Sequence, residues 1–142
     1  MATRPVPAAR QHGAAAVEFA LTAIAFLMLV FAVMEFSRLM LAWNMAVEAT
    51  RLGARVAVVC DVGDSAVKRR MRNVLPQLTD SNIVVEYPTT SCSATSCEPV
   101  TVSIVNYQID LFIPGVPPIT LPGLTTSLPA ESLSSANNPL CD

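Results

Sequence analysis

His12-Gly13-Ala14-Ala15-Ala16-Val17-Glu18-Phe19-Ala20-Leu21-Thr22, continued without a break to Met34, is the stretch that decides how this chain is organised. From Ala14 to Met34 every side chain is apolar or small except Glu18 and Thr22, and a helical threonine can bond back to its own backbone. The run reaches the about 20 residues that a helix needs to cross a bilayer core. A carboxylate in such a run costs roughly 2.5–3.5 kcal/mol at the centre of a membrane helix and less toward its end. The favourable interaction of a first-turn acid with the helix dipole accounts for Glu18 but not for Gly13. A glycine between a polar leader and an apolar run offers an unhindered, extendable backbone that a peptidase can cut on the cytoplasmic side. Cutting there leaves Ala14 as the new N-terminus, with Glu18 as its fifth residue.

An ordinary secretory signal also begins with basic residues ahead of an apolar core, as Arg4 and Arg10 do here. It would carry a shorter core closed by an Ala-x-Ala-like site. Ala23-Ile24-Ala25 instead lies in the middle of the run, and Val33-Met34-Glu35 at its end is a poor cleavage site. The basic leader is therefore expected to remain cytoplasmic and the bulk of the chain to face outward. An uncleaved signal anchor is the rival reading of the same segment.

Glu35 with Arg38 and Glu48 with Arg51 are acid-before-base pairs three residues apart, worth a few tenths of a kcal/mol each on a helix surface. No proline occurs between Pro7 and Pro76, and Gly53 is the first glycine after Gly13, so one helix is expected over about 14–59. At 1.5 Å per residue it would be roughly 70 Å long, more than twice the bilayer core, so half of it must leave the membrane. In that outer half Leu39, Ala42, Ala46, Ala49, Leu52, Gly53 and Val56 recur at three- and four-residue steps. They form a narrow small-residue stripe suited to close packing, either on the chain's own C-terminal domain or on a neighbour. Trp43 is either an interfacial anchor or a core residue.

A second, shorter helix is expected over 65–75, capped by Asp64 or Ser65, with Val67, Met71, Val74, Leu75 and Leu78 on one face and Pro76 at its end. The basic run Lys68-Arg69-Arg70-Met71-Arg72 reads as a solvated helix face. Strand signals follow: Ile83 to Tyr87, then Val100, Val102 and Ile104 alternating with Thr101 and Ser103. Val105, Tyr107, Ile109, Leu111 and Ile113 alternate in the opposite phase, which predicts a bulge or a break at Ile104-Val105. Pro117, Pro118 and Pro122 restrict the rest to edge strands or extended loops, with Leu124 to Leu128 as a final short strand.

The four cysteines, Cys60, Cys92, Cys97 and Cys141, all follow the apolar run and so fall on its outer side, where disulfides persist. Cys92 and Cys97 bracket a short polar loop between two expected strands, so a local bridge would close that hairpin, leaving Cys60 for Cys141. Four cysteines allow three connectivities, and the spacing alone does not choose among them. The only histidine is His12, and the cysteine spacing fits no common zinc site, so no metal or other cofactor is expected. Without a histidine beyond the leader, His-based triads and His-ligated metal centres are excluded. The carboxylates show no paired acid–base spacing and no Gly-rich phosphate loop is present, so an enzyme is not expected. Without Arg4 and Arg10, seven basic residues stand against eleven acidic ones, a net charge of −4 that argues against nucleic acid as a partner.

Gly13, four small or apolar residues, then Glu18 and Phe19, together resemble the prepilin peptidase site of type IV pilins. The acidic–aromatic pair and short leader are similar to those of the Tad (tight adherence, Flp) pilus system. The continuation Glu35-Phe36-Ser37-Arg38, then Glu48-Ala49-Thr50-Arg51-Leu52-Gly53-Ala54-Arg55, most resembles the TadE family of pseudopilins, and the resemblance extends over most of the chain. It implies an α+β protein: a leader over 1–13, a long helix over 14–59 that spans the membrane in its first half, and a small periplasmic antiparallel-sheet domain with one short helix over 60–142. It further implies a minor pilin or pseudopilin of the bacterial inner membrane that a prepilin peptidase processes and that assembles with other pilin-like subunits and the pilus machinery. Gly13, Ala14, Glu18 and Phe19 would form the processing site, and Glu18 would serve assembly by meeting a neighbour's freed amine. The alternative is an uncleaved single-pass protein whose outer domain scaffolds or binds a partner; a binding or catalytic domain on a signal anchor would need a concave polar site.

Overall fold

The computed structural model describes residues 12–88, 98–113 and 115–141. Its elements are α1 (His12–Ala57), α2 (Ser65–Val74), a single 3-10 turn (Asp80–Asn82), β1 (Ile83–Glu86), β2 (Val100–Ile104), β3 (Gln108–Ile109), β4 (Ile119–Thr120) and β5 (Leu124–Leu128). This is the α+β arrangement expected from the sequence: a long apolar helix, one short helix and small antiparallel sheets. The chain divides into two compact units at Ser37/Arg38.

The first unit holds the N-terminal part of α1. From Gly13 to Phe36 its large apolar side chains are mostly exposed, and the apolar window is long enough to cross a membrane. Its hydroxyls are satisfied locally: Thr22 donates to the Glu18 carbonyl at 2.9 Å and Ser37 to that of Val33 at 2.8 Å. Neither therefore adds an unpaired polar group to the apolar surface. The helix opens at His12, so Gly13 lies within its first turn rather than in an extended junction. A single glycine weakens a helix without stopping it, and a helix end shifts by a residue or two at little cost.

The second unit, Arg38–Asp142, contains the buried core. α1 contributes Ala46, Ala49, Gly53 and Ala57, four small residues at three- and four-residue steps, all buried. α2 contributes Val67 and Met71, and β2 contributes Val100, Val102 and Ile104. The small stripe on α1 lets the two other layers approach closely. At Gly53 a Cβ would stand 2.6 Å from Met71 Sδ on α2 and 3.2 Å from Val102 Cγ1 on β2. Within this unit the stripe thus packs on the chain's own domain, and Trp43 lies half-buried against the same core.

β2 is the central strand of an antiparallel β1-β2-β5 sheet, with Ile83 opposite Ile104, Val85 opposite Val102, and Val102 opposite Thr126. Its alternate burial places Val100, Val102 and Ile104 inward, while Thr101 pairs with Ser127 across the outer face at 3.0 Å. The Thr126 hydroxyl donates to Thr50 on α1 at 3.1 Å, and Thr50 donates to the Val47 carbonyl at 2.8 Å, so the buried Thr50 is satisfied.

At the expected phase shift the chain breaks. Asn106 takes φ +53°, and the Asn82 side-chain amide donates to the carbonyls of Val105 at 3.0 Å and Asn106 at 3.2 Å. The alternating run beyond it shortens to β3, which pairs only Gln108 with Thr120 and Ile109 with Ile119. The next residues of the facing strand would be Pro118 and Pro117, which have no N–H to donate, so the ladder stops after two pairs. Leu111 and Ile113 are therefore not strand residues.

α2 starts at Asp64, whose carboxylate accepts from the Ala66 N–H at 2.9 Å. It ends at Val74 with the Leu75 N–H donating to Met71, just before Pro76. The basic run is only partly a solvated face. Met71 within it is fully buried, Arg72 forms an ion pair with Asp80, and Arg70 donates to the Pro139 carbonyl at 3.3 Å.

Candidate functional site

Gly13, Ala14, Glu18 and Phe19 all lie on α1 and all are exposed, Phe19 by 75 %. Ala14 and Glu18 are four residues apart and so share one face of the helix. Nothing lies within 4 Å of the position a Cβ would take at Gly13. A larger side chain is therefore accommodated there by the chain itself. The first N–H groups of a helix have no partner within it, and glycine is about 1 kcal/mol less favourable than alanine in a helix interior, so the turn at Gly13 unwinds readily.

A second constellation sits where α1 ends. Cys60 and Cys141 are joined by a disulfide with Cα atoms 5.7 Å apart. The C-terminal segment closes on the helix end through its backbone: the N–H groups of Glu131 and Leu133 donate to the Val58 carbonyl, and that of Ser134 to Val59. These carbonyls belong to the turn that directly follows α1, past the point where the helix supplies a donor. Ser135 bridges further, accepting from the Asp61 N–H at 2.9 Å and donating to Asp64 at 2.7 Å. Cys60, Asp64 and Cys141 come together as three residues of metal-ligating type. With the two sulfurs bonded to each other, neither is a thiolate, and a lone carboxylate is no site. Cys92 and Cys97, the other candidate pair, lie outside the described residues.

The Ala66 N–H, and after it the Ser135 hydroxyl, hold the Asp64 carboxyl below the usual carboxylate range; Arg69 adds to this and burial opposes it. A depressed folded-state value means that Asp64 contributes stability in full above pH about 4 and loses it as the pH falls further. Acid unfolding followed by circular dichroism between pH 5 and 2 should accordingly show a shallower loss in Asp64→Asn than in the unaltered chain. At neutral pH Asp64→Ala is expected to cost about 1 kcal/mol, the ordinary contribution of a helix cap.

The helix that carries Glu18 also carries the family signal. Residues 13–55 match the TadE-like protein family. The TadE-like segment runs from Gly13 through the small-residue stripe to Arg55 and covers less than a third of the chain, so α2 and the sheets lie beyond it rather than within a resemblance over most of the chain. No curated protein and no solved structure matches the chain. The TadE-like segment includes the window of α1 that is long and apolar enough to cross a membrane.

Sequence reasoning placed Cys141 with Cys60 at the helix end, and the disulfide joins them, but it did not find the hydrogen bonds that accompany the bridge. Most of their donors are backbone N–H groups, which leave no mark in the side chains, and Ser132 and Ser135 add theirs from a segment without periodic pattern. Nor did it find the stacking of Phe112 on Arg38, whose ring centroid lies 3.9 Å from the guanidinium carbon. An arginine just beyond an apolar run and a phenylalanine in a proline-rich segment were the available signals.

Proposed function

We propose that this chain is a minor pilin or pseudopilin precursor of the Tad pilus, cut after Gly13 by a prepilin peptidase. The processed subunit is held in the bacterial inner membrane by α1 with its sheet domain in the periplasm, and assembles with other pilin-like subunits. One observation carries the reading: the TadE-like match opens at Gly13 and takes in Ala14, Glu18 and Phe19. The exposure of all four residues, and the ease of unwinding the first helical turn, support access by a peptidase. Phe19 belongs to the recognised motif. Glu18 then acts after cleavage: its carboxylate, costly in hydrocarbon when alone, is stabilised by the freed amine of a neighbouring subunit and so sets the register between adjacent helices.

N-terminal sequencing of the protein from cells that hold the peptidase tests the processing. The mature chain is expected to begin at Ala14, and Gly13→Leu to leave it intact from Met1. Because open space surrounds Gly13, that failure would reflect the peptidase and not the fold. An unaltered chain recovered intact from Met1 would overturn the reading in favour of an uncleaved membrane scaffold. Glu18→Ala should still be cut but should co-purify several-fold less with other pilin subunits; equal recovery would refute the role of Glu18.

A further inference from the structure

The segment joining β3 to β4 is an arm with an apolar tip. Phe112 is 77 % exposed, and Ile113 and Val116 are each 42 % exposed. The Val116 N–H donates to the Ile113 carbonyl at 3.3 Å, and Gly115 takes φ +85°, a conformation that favours glycine. Three exposed apolar side chains within five residues of chain offer an apolar surface, and exposed apolar surfaces that are contiguous mark contact sites.

The position of the arm says what it contacts. Phe112 lies over the guanidinium of Arg38. Arg38 follows Met34, the last residue of the apolar run, by four positions on the same helix, about 6 Å of helical rise. A spanning helix passes from hydrocarbon to headgroups over that interval. Aromatic side chains concentrate at this level, and arginine there reaches lipid phosphate while its stem stays in apolar surroundings. Leu41, three residues on and 60 % exposed, continues the apolar surface on the helix beside Arg38.

We propose that the β3–β4 arm is a second membrane contact, inserting Phe112, Ile113 and Val116 into the headgroup layer beside α1 while Arg38 engages lipid phosphate. Asp110, exposed at the base of the arm, limits the depth to the tip, since its carboxylate resists entry. The contact fixes the domain to the bilayer surface at a second point, which a single spanning helix cannot do. The inference rests on α1 crossing the membrane; cleavage after Gly13 and entry into a pilus are not needed for it.

The test uses the full chain carrying Trp43→Phe and one tryptophan reporter, introduced by Phe112→Trp or, independently, Ile113→Trp. The chain is reconstituted at low density in phosphatidylethanolamine–phosphatidylglycerol vesicles. Thr125→Trp on β5 serves as the aqueous reference, and Phe26→Trp reports the spanning helix. Lipids brominated near the headgroup end of the acyl chains should quench both arm reporters several-fold more than the Thr125→Trp reference, with emission shifted to the blue. Quenching of Phe26→Trp by deep bromines, with both arm reporters indistinguishable from the reference, would overturn the arm and leave the span intact. Absence of quenching at Phe26→Trp would overturn the span and the arm with it. A blue shift that grows with protein density and escapes bromine quenching would assign the tip to a second subunit and likewise overturn the proposal.

Discussion

Replacing Cys60 and Cys141 together with alanine is expected to remove about 4 kcal/mol from the stability of the Arg38–Asp142 unit. The bridge joins residues 81 apart in sequence, and the chain-entropy relation for a loop of that size gives about 4.5 kcal/mol, a value that native disulfides in small domains approach. Alanine is the informative substitute because Cys60 is fully buried, and a serine hydroxyl there would add a desolvation cost of its own. Thermal unfolding should show the midpoint falling by roughly 15 °C or more, since each kcal/mol moves the midpoint of a domain this size by about 4 °C or more. A loss below about 1 kcal/mol would mean that the unfolded ensemble gains little freedom from opening the bridge. Non-reducing peptide mapping supplies the direct check, with a Cys60–Cys141 peptide as the expected product.

Gly53→Leu should be nearly as damaging, at about 3 kcal/mol. The first added carbon would stand 2.6 Å from Met71 Sδ, 2.8 Å from Met71 Cγ and 3.2 Å from Val102 Cγ1, and Met71 is itself fully buried. Overfilling a packed core forces side chains off their rotamers at about 1–3 kcal/mol, and the remaining leucine atoms add to the first clash. Gly53→Ala separates the two opposing effects: alanine gains up to about 1 kcal/mol in helix propensity yet meets the same first contact, so a smaller net loss is expected. Combining Gly53→Ala with Met71→Ala should cost less than the sum of the two single changes, because the cavity left by one accepts the methyl of the other. Strict additivity in urea titrations would show that the two positions do not press on each other.

Much of this arrangement was legible because it depends on periodicity and on residues with few conformational options. The unbroken run from Ala14 to Met34, the absence of proline up to Pro76, and the spacing of Ala46, Ala49 and Gly53 carry α1 and its buried stripe. Asp64 ahead of an amphipathic segment carries α2, and alternation carries β2. The reading of 105–113 as one alternating strand stopped short for a reason local pattern does not contain: strand length depends on the partner, and here the partner is Pro117-Pro118. The same holds for the basic run in α2, where Arg72 and Arg70 find acceptors far along the chain, at Asp80 and Pro139. At the candidate site, Gly13 and Glu18 were visible as breaks in composition and Phe19 through the family resemblance, and the TadE-like match falls on the same residues. Expectations for Cys92 and Cys97 concern residues outside those described.

The covalent closure at the end of α1 also sets the route that mechanical tension takes. A pull applied between the N-terminal helix and the last residues passes along α1 to Cys60, crosses the sulfur bridge to Cys141 and leaves the chain there. The elements described between those two residues, α2 and β1 to β5, hang off this line as an unloaded loop. Shear that would otherwise act between β2 and β5 is borne by one bond and a helix, so tension on this line does not load the sheet.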